Sequence, residues 1–112
     1  MQLEVKKYLY DIAAASEHIT AFTAGKTFAD YEGDAMLRAA VERQFEIIGE
    51  ALGQLARLDE AIAARITDYR RIIAFRNILI HGYTQVDDRL VWDIVETSLP
   101  PLRREVAALL EE

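Results

Sequence analysis

The sequence predicts an all-α protein, a four- or five-helix antiparallel bundle. Apolar residues recur at three- and four-residue spacings along most of the chain, and no segment has the alternating pattern of a β-strand. Short connections between long helical segments favour antiparallel neighbours. Because the chain has 112 residues, of which 52% are hydrophobic, we expect a single domain over residues 1–112.

Two long helices are predicted in the first half of the chain. The first begins near Leu3 and stops before Gly25, a residue typical of helix C-termini. The second follows a cap at Asp30 or Asp34 and continues to Leu55.

Gly49 and Gly53 lie within the second predicted helix and share one of its faces. Each costs a helix up to about 1 kcal/mol relative to alanine. Either this face allows another helix to approach closely, or the two glycines are a local weak spot.

The second half begins with a short helical turn in Asp59–Ile66. Asp68 is expected to cap a third helix over Tyr69–His81, and Gly82 stands where a C-terminal glycine is expected.

A fourth helix begins at Asp87 or Asp88. Pro100 and Pro101 are expected to break or kink it, because proline lacks the amide donor, and a last helix covers Leu102–Leu110.

Composition excludes several classes of protein. There is no cysteine, so a disulfide scaffold, a thiolate metal site and a cysteine nucleophile are excluded. No apolar run is long enough to span a membrane, and the charged N-terminus predicts no signal peptide, so a cytoplasmic location is the default expectation. The net charge of −6 argues against a broad basic surface for nucleic acid.

One stretch differs from this acidic background. It contains Arg65, Arg70, Arg71 and Arg76 against a single acid, Asp68, which makes it locally +3. The stretch is either a local site for RNA phosphates or a solvated helix face, and the charge pattern favours neither.

Residues able to catalyse a reaction occur at the end of the third predicted helix, where Arg76-Asn77 is followed by His81-Gly82-Tyr83. Arginine presents a planar, permanently charged group that fits phosphate, and histidine exchanges protons near neutral pH. Together they supply the proton transfer and the positive charge that metal-free RNA cleavage needs. Each residue also has a structural explanation: His81 at a helix C-terminus, Arg76 in an ion pair, Tyr83 as a half-buried aromatic.

Helix geometry separates the two main groups, since Arg76 and His81 project about 140° apart on an ideal helix. They converge only if the helix ends near Gly82 or if a second copy of the chain completes the site. The spacing therefore favours a dimer with this motif at its interface.

The chain offers no metal or cofactor motif. Its two histidines, His18 and His81, lack the spacing of metal ligands, and His18 is expected on the surface. There is no glycine-rich phosphate loop, so no cofactor is predicted.

The chain resembles the HepT-type proteins of the HEPN superfamily. Arg76-Asn77 with His81-Gly82-Tyr83 matches the R-x4-H-x-Y motif of that family. The other segments similar to the family are Phe45–Ala51, Val86-Asp87, Val91-Trp92, Leu99-Pro100 and Leu102.

The resemblance implies a HEPN-like helical dimer that acts as a metal-independent endoribonuclease toxin of a type VII HepT/MntA toxin–antitoxin system. By position, Arg76 would bind or polarise the scissile phosphate, His81 would be the acid or base, and Asn77 would orient the phosphate or His81.

The resemblance also implies a partner, a small MNT-type nucleotidyltransferase antitoxin that neutralises the toxin by transferring AMP to Tyr83. The alternative is a non-catalytic helical module that binds such a nucleotidyltransferase, which the acidic balance and small size of the chain favour.

Overall fold

The computed structural model describes residues 1–82, 84 and 86–112. Within these residues the chain forms helices and no strand, which confirms the all-α prediction. The helices are α1 Leu3–Thr23, α2 Phe28–Glu32, α3 Ala35–Leu58, α4 Glu60–Ala63, α5 Tyr69–His81, α6 Asp88–Thr97 and α7 Leu99–Leu110. Helices α2 and α4 are single turns, so the bundle consists of the other five, and it measures 42 × 29 × 19 Å.

Helices α1 and α3 pack along each other and form the centre of the bundle. Helix α5 packs on α3, helix α7 on α1, and α6 on α7, while α2 bridges α3 and α6. Each long helix buries one apolar stripe, as the three- and four-residue spacings predict. The fully covered side chains at the centre include Leu9, Ile12, Ile19, Ile48, Leu52 and Leu55.

Aspartate side chains begin three of the helices. The carboxylates of Asp34, Asp59 and Asp87 accept hydrogen bonds from backbone N–H groups in the first turns of α3, α4 and α6, at 3.1, 3.2 and 2.9 Å. They satisfy amide donors that have no partner inside the helix. Of the two predicted caps for α3, Asp34 is the one used, and Asp30 belongs to a capping box with Thr27 at α2.

The chain end departs from the prediction. Pro100 and Pro101 do not break a helix; α6 has already ended at Thr97, and both prolines lie in the first turn of α7, which begins at Leu99 rather than at Leu102. In a first turn the missing proline N–H costs nothing, because that N–H has no partner within the helix.

The cap predicted at Asp68 is also different. Asp68 precedes α5, but its φ is 57° and its side chain makes no capping hydrogen bond. Aspartate is one of the few residues that enter this left-handed region at modest cost. The Asp68 carboxylate lies 3.9 Å from the guanidinium of Arg71 instead.

None of the helices in the described part of the chain is long and apolar enough to cross a membrane.

Candidate active site

Helix α5 carries the motif and is held against α3 by its apolar side. Phe75 and Leu79 are buried, and the ring of Phe75 meets the ring of Phe45 on α3 edge to face, with 5.4 Å between centroids. At the end of α5 the N–H of Gly82 donates to the carbonyl of Ile78 at 2.8 Å, so the helix stops where the sequence predicts.

Gly49 allows α3 and α5 to approach closely at Arg76. A Cβ atom on Gly49 would lie 2.2 Å from Cβ and 2.7 Å from Cγ of Arg76, distances at which the two helices would have to separate. A Cβ on Gly53 would meet nothing within 4 Å. The shared glycine face is therefore a close-contact surface at Gly49 only, and Gly53 has no such role.

The Arg76 guanidinium is bound on two sides. Its Nη2 lies 2.7 Å from Oε2 of Glu50, and its Nη1 donates to Oδ1 of Asn77 at 3.1 Å. Its Nε is buried and has no hydrogen-bond partner among the described residues. Because its stem lies against Gly49, Arg76 is directed toward α3, and Glu50 is placed beside it.

The motif residues separate into two groups. Arg76 and Asn77 are in direct contact, whereas His81 is exposed at the last residue of α5. Because α5 is a continuous helix, the angular separation predicted for Arg76 and His81 persists. The hydrogen bond recorded for the Asn77 side chain is with Arg76 and not with His81. Tyr83, the predicted modification site, lies outside the described residues.

A polar depression of about 420 Å³ surrounds Arg76 between α1, α3 and α5. Three cationic and three anionic side chains line it, so its charges balance. These are Lys7, Arg43 and Arg76 with Asp11, Glu46 and Glu50. His81 does not line it.

A second, mainly apolar depression of about 530 Å³ lies on the other side of α5, toward α6 and α7. Ile78, which is 47% exposed, and Leu90, which is 41% exposed, contribute to its surface. Ile78 projects from the same exposed side of α5 as Asn77 and His81, since all three lie within about 100° of one another on a helix. This side of α5 combines motif residues with uncovered apolar surface.

The arginine-rich stretch has a carboxylate partner for each arginine. Glu112 pairs with Arg65, and the remaining distances are 3.1 Å for Arg70–Glu60, 3.9 Å for Arg71–Asp68 and 2.7 Å for Arg76–Glu50. Most of these groups are solvent-exposed, so the pairs are weak and can exchange partners. The stretch therefore has much less positive potential than its local charge of +3 indicates.

Glu50 is the residue at this site that the sequence reasoning missed. It belongs to the segment Phe45–Ala51, which carried the family resemblance, and it follows the glycine that admits Arg76. A carboxylate next to a close-contact glycine is a usable signal only once the helix that approaches the glycine is known. The two residues of the pair are 26 positions apart, so no local pattern connects them.

No group of three or more histidine, aspartate or glutamate side chains within residues 1–82, 84 and 86–112 is arranged to hold a metal ion.

Comparisons with known proteins agree on one family. The family model described as "Ribonuclease HepT-like" matches residues 12–109. A protein of Methanocaldococcus jannaschii, provisionally named an RNase, is 34% identical over 103 residues, which cover 92% of this chain and 94% of the relative. The "Probable ribonuclease HepT" of Thermococcus cleftensis is 37% identical, with 92% and 93% covered.

A third relative, from Caldanaerobacter subterraneus subsp. tengcongensis and also provisionally named an RNase, is 29% identical over 107 residues, which cover 96% of this chain and 95% of the relative. No solved structure matches the chain.

Proposed function

Since the chain belongs to the Ribonuclease HepT-like family, we propose that it is a metal-independent endoribonuclease, the toxin of a HepT/MntA toxin–antitoxin system. The observation that carries this proposal is the pair of Arg76 and Asn77, in contact at 3.1 Å on the helix that ends at His81. A fixed arginine can bind the phosphate, and an exposed histidine can move protons.

Cleavage of one phosphodiester requires a general base, a general acid and a cation that stabilises the phosphoryl oxygens. A base removes the proton of the ribose 2′-hydroxyl, whose oxygen attacks the phosphorus. The bond from phosphorus to the 5′-oxygen breaks, and an acid gives that oxygen a proton, leaving a 2′,3′-cyclic phosphate and a 5′-hydroxyl. His81 serves as base and acid, while Arg76 stabilises the negative charge on the phosphoryl oxygens.

Asn77 has a more specific role than the sequence suggests. Its Oδ1 accepts from Arg76 Nη1, so its amide N–H groups remain to donate to a phosphate oxygen. The Asn77 side chain lies between the directions of Arg76 and His81 on α5, about 100° from the first and 40° from the second. Asn77 thus lies between Arg76, the group proposed to bind the phosphate, and His81, the group proposed to transfer protons.

The active species is a homodimer. One copy directs Arg76 toward α3 and His81 toward solvent, so a single chain presents the two groups on different sides of α5. A second copy packed on the exposed side of α5 would cover Ile78 and Leu90 and bring a second motif beside His81. This arrangement supplies two histidines, one as the base and one as the acid.

The way in which the toxin is controlled is proposed from the family resemblance. An MNT-type nucleotidyltransferase antitoxin transfers AMP to the Tyr83 hydroxyl, two residues after His81. The added group places bulk and negative charge next to the motif, which repels an RNA phosphate.

A second candidate function is a non-catalytic module that binds the nucleotidyltransferase. The observation that favours it is that all four arginines of the basic stretch are paired with carboxylates in a chain of net charge −6. Such a surface attracts RNA weakly. In this case the nucleotidyltransferase binds at the apolar depression beside Ile78.

The two candidates differ in the effect of removing His81. We would compare wild type with His81→Ala and with His18→Ala, the matched control, because His18 is the other histidine and lies exposed on α1. RNA cleavage is followed in vitro in the presence of EDTA, with growth followed in cells. His81→Ala is expected to lose at least about 100-fold in rate, and His18→Ala to stay near wild type.

Equal cleavage by wild type and a folded His81→Ala variant would reject His81 as the catalytic residue. A folded wild type that cleaves no RNA but forms a stoichiometric complex with the nucleotidyltransferase would select the second candidate.

A further inference from the structure

The Arg76 guanidinium already contacts an anion, the Glu50 carboxylate, and an amide oxygen, that of Asn77. Nη2 is ion-paired with Glu50 at 2.7 Å, Nη1 donates one of its two N–H groups to Asn77, and Nε is buried. Arginine binds phosphate and carboxylate through the same planar set of N–H groups, so the two anions compete for these donors. An incoming RNA phosphate therefore meets an arginine that already holds an anion.

Arg76 and Glu50, the two partners of this ion pair, differ in how freely their side chains can move. The Arg76 stem is fixed by the close approach of α5 to Gly49, and its side chain is 29% exposed. The Glu50 side chain is 54% exposed and begins on the surface of α3. Glu50 can rotate into water without any change in helix packing, whereas Cβ and Cγ of Arg76 lie against Gly49. The exchange of a carboxylate for a phosphate is thus a side-chain movement of Glu50 alone.

We propose that Glu50 competes with the RNA phosphate for Arg76 and so sets the affinity of the site for RNA. This inference rests on the proposed function, because it assigns Arg76 to the phosphate. Glu50 must leave before the phosphate binds, so it opposes binding of the substrate and of the transition state equally. Such an effect changes KM and leaves kcat unaltered.

The surrounding charges strengthen the competition. With Glu50 in place, the polar depression has three cationic and three anionic groups, and Lys7 is itself paired with Asp11 at 3.3 Å. Without the Glu50 charge, the depression has a net positive charge at Arg76. Glu50 therefore reduces the attraction of RNA both by contact and through the local field.

The test compares Glu50→Gln with Glu60→Gln. Both variants remove one carboxylate charge from an arginine pair of the same stretch, but Glu60 pairs with Arg70, 3.1 Å away, and does not contact Arg76. Glutamine keeps the size of the side chain. We expect Glu50→Gln to lower KM for RNA by about five-fold with kcat unchanged, and Glu60→Gln to change KM by less than about two-fold.

Binding is measured separately with an RNA that carries a 2′-deoxy sugar at the scissile position and cannot be cleaved. The variants Glu50→Gln, Arg76→Ala and the double variant form a cycle, and urea denaturation verifies that each is folded. The tighter binding caused by Glu50→Gln must disappear when Arg76 is absent.

An unchanged KM and RNA affinity in Glu50→Gln would overturn the inference, as would a fall in kcat, which would make Glu50 a residue that positions Arg76. Tighter, Arg76-dependent RNA binding without any cleavage by wild type would support the competition and reject the ribonuclease. If no variant binds the RNA, both proposals fail.

Discussion

On the side of α5 that faces α3, Gly49 brings the helices into close contact, and Arg76 is held between the backbone of α3 and the Glu50 carboxylate. On the opposite side, α5 leaves an apolar depression of about 530 Å³, to which Ile78 contributes an exposed side chain. The same helix is therefore anchored on one side and uncovered on the other.

This difference separates two tasks. The anchored side fixes a permanently charged group, and a rigid base would favour the binding of a phosphate in one geometry, the role that we propose for Arg76. The uncovered side displays His81 and apolar surface together, where a second copy of the chain would cover both. The motif on α5 thus divides into a part that the monomer organises and a part that we propose the dimer organises.

The largest effect is expected from a methyl group on the anchored side. In Gly49→Ala the added Cβ lies 2.2 Å from Cβ of Arg76, so α3 and α5 must move apart. We expect a loss of about 3 kcal/mol in the free energy of unfolding, measured by urea denaturation, together with a loss of RNA cleavage because Arg76 is displaced.

Gly53→Ala is the matched control for this prediction. The added methyl group meets nothing within 4 Å, and alanine is the better helix former, so stability should rise by up to about 1 kcal/mol. Equal stability of the two alanine variants would show that α5 is not anchored at Gly49.

An intermediate effect is expected on the uncovered side. Ile78→Asp places a charge on a surface that the proposed dimer would bury, so dimer association should weaken by about 2 kcal/mol, or roughly 30-fold. The measurement is sedimentation equilibrium over a range of concentrations. Folding of the monomer should not suffer, because Ile78 is 47% exposed.

Met36→Asp provides the control on this side, because Met36 is 84% exposed on α3 and does not line the depression. If Ile78→Asp and Met36→Asp have the same oligomeric state, the uncovered side of α5 is not the dimer interface.

The smallest effect concerns Glu42, which lies on α3 and whose charged neighbours are Asp88, Glu46 and Arg38. Burial raises the pKa of its carboxyl group above 4.5, the repulsion from Asp88 and Glu46 adds to this, and Arg38 opposes it. The folded state therefore binds this proton more tightly than the unfolded chain does. Below the ordinary pKa the carboxyl is neutral in both states, and stability falls as the pH rises through the raised pKa.

Glu42→Gln removes this charge. We expect a gain in the free energy of unfolding of less than about 1 kcal/mol at neutral pH and no gain at pH values well below 4.5. Denaturation curves at both pH values measure it. A gain that persists at low pH would show that the effect comes from side-chain packing and not from the buried charge of Glu42.

The sequence by itself determined that the chain is helical, where the long helices lie, and the bounds of α5. The repeat of apolar residues and the caps at Asp34, Asp59 and Asp87 are local signals, because a cap and the N–H group that it satisfies are only two or three residues apart. The end of α5 at His81 was also predicted from a local signal, the glycine at position 82. The motif residues Arg76, Asn77 and His81 were also identified from short-range spacing and resemblance.

Only the tertiary structure decided what those residues contact. Glu50 and Arg76 are far apart in sequence, and the role of Gly49 depends on which helix approaches it. The start of α7 at Leu99, ahead of its two prolines, likewise depended on where α6 ends. Helix periodicity indicates which face of a helix is buried, but it does not indicate which helix covers that face. The partner of a charged group depends on which helix covers it.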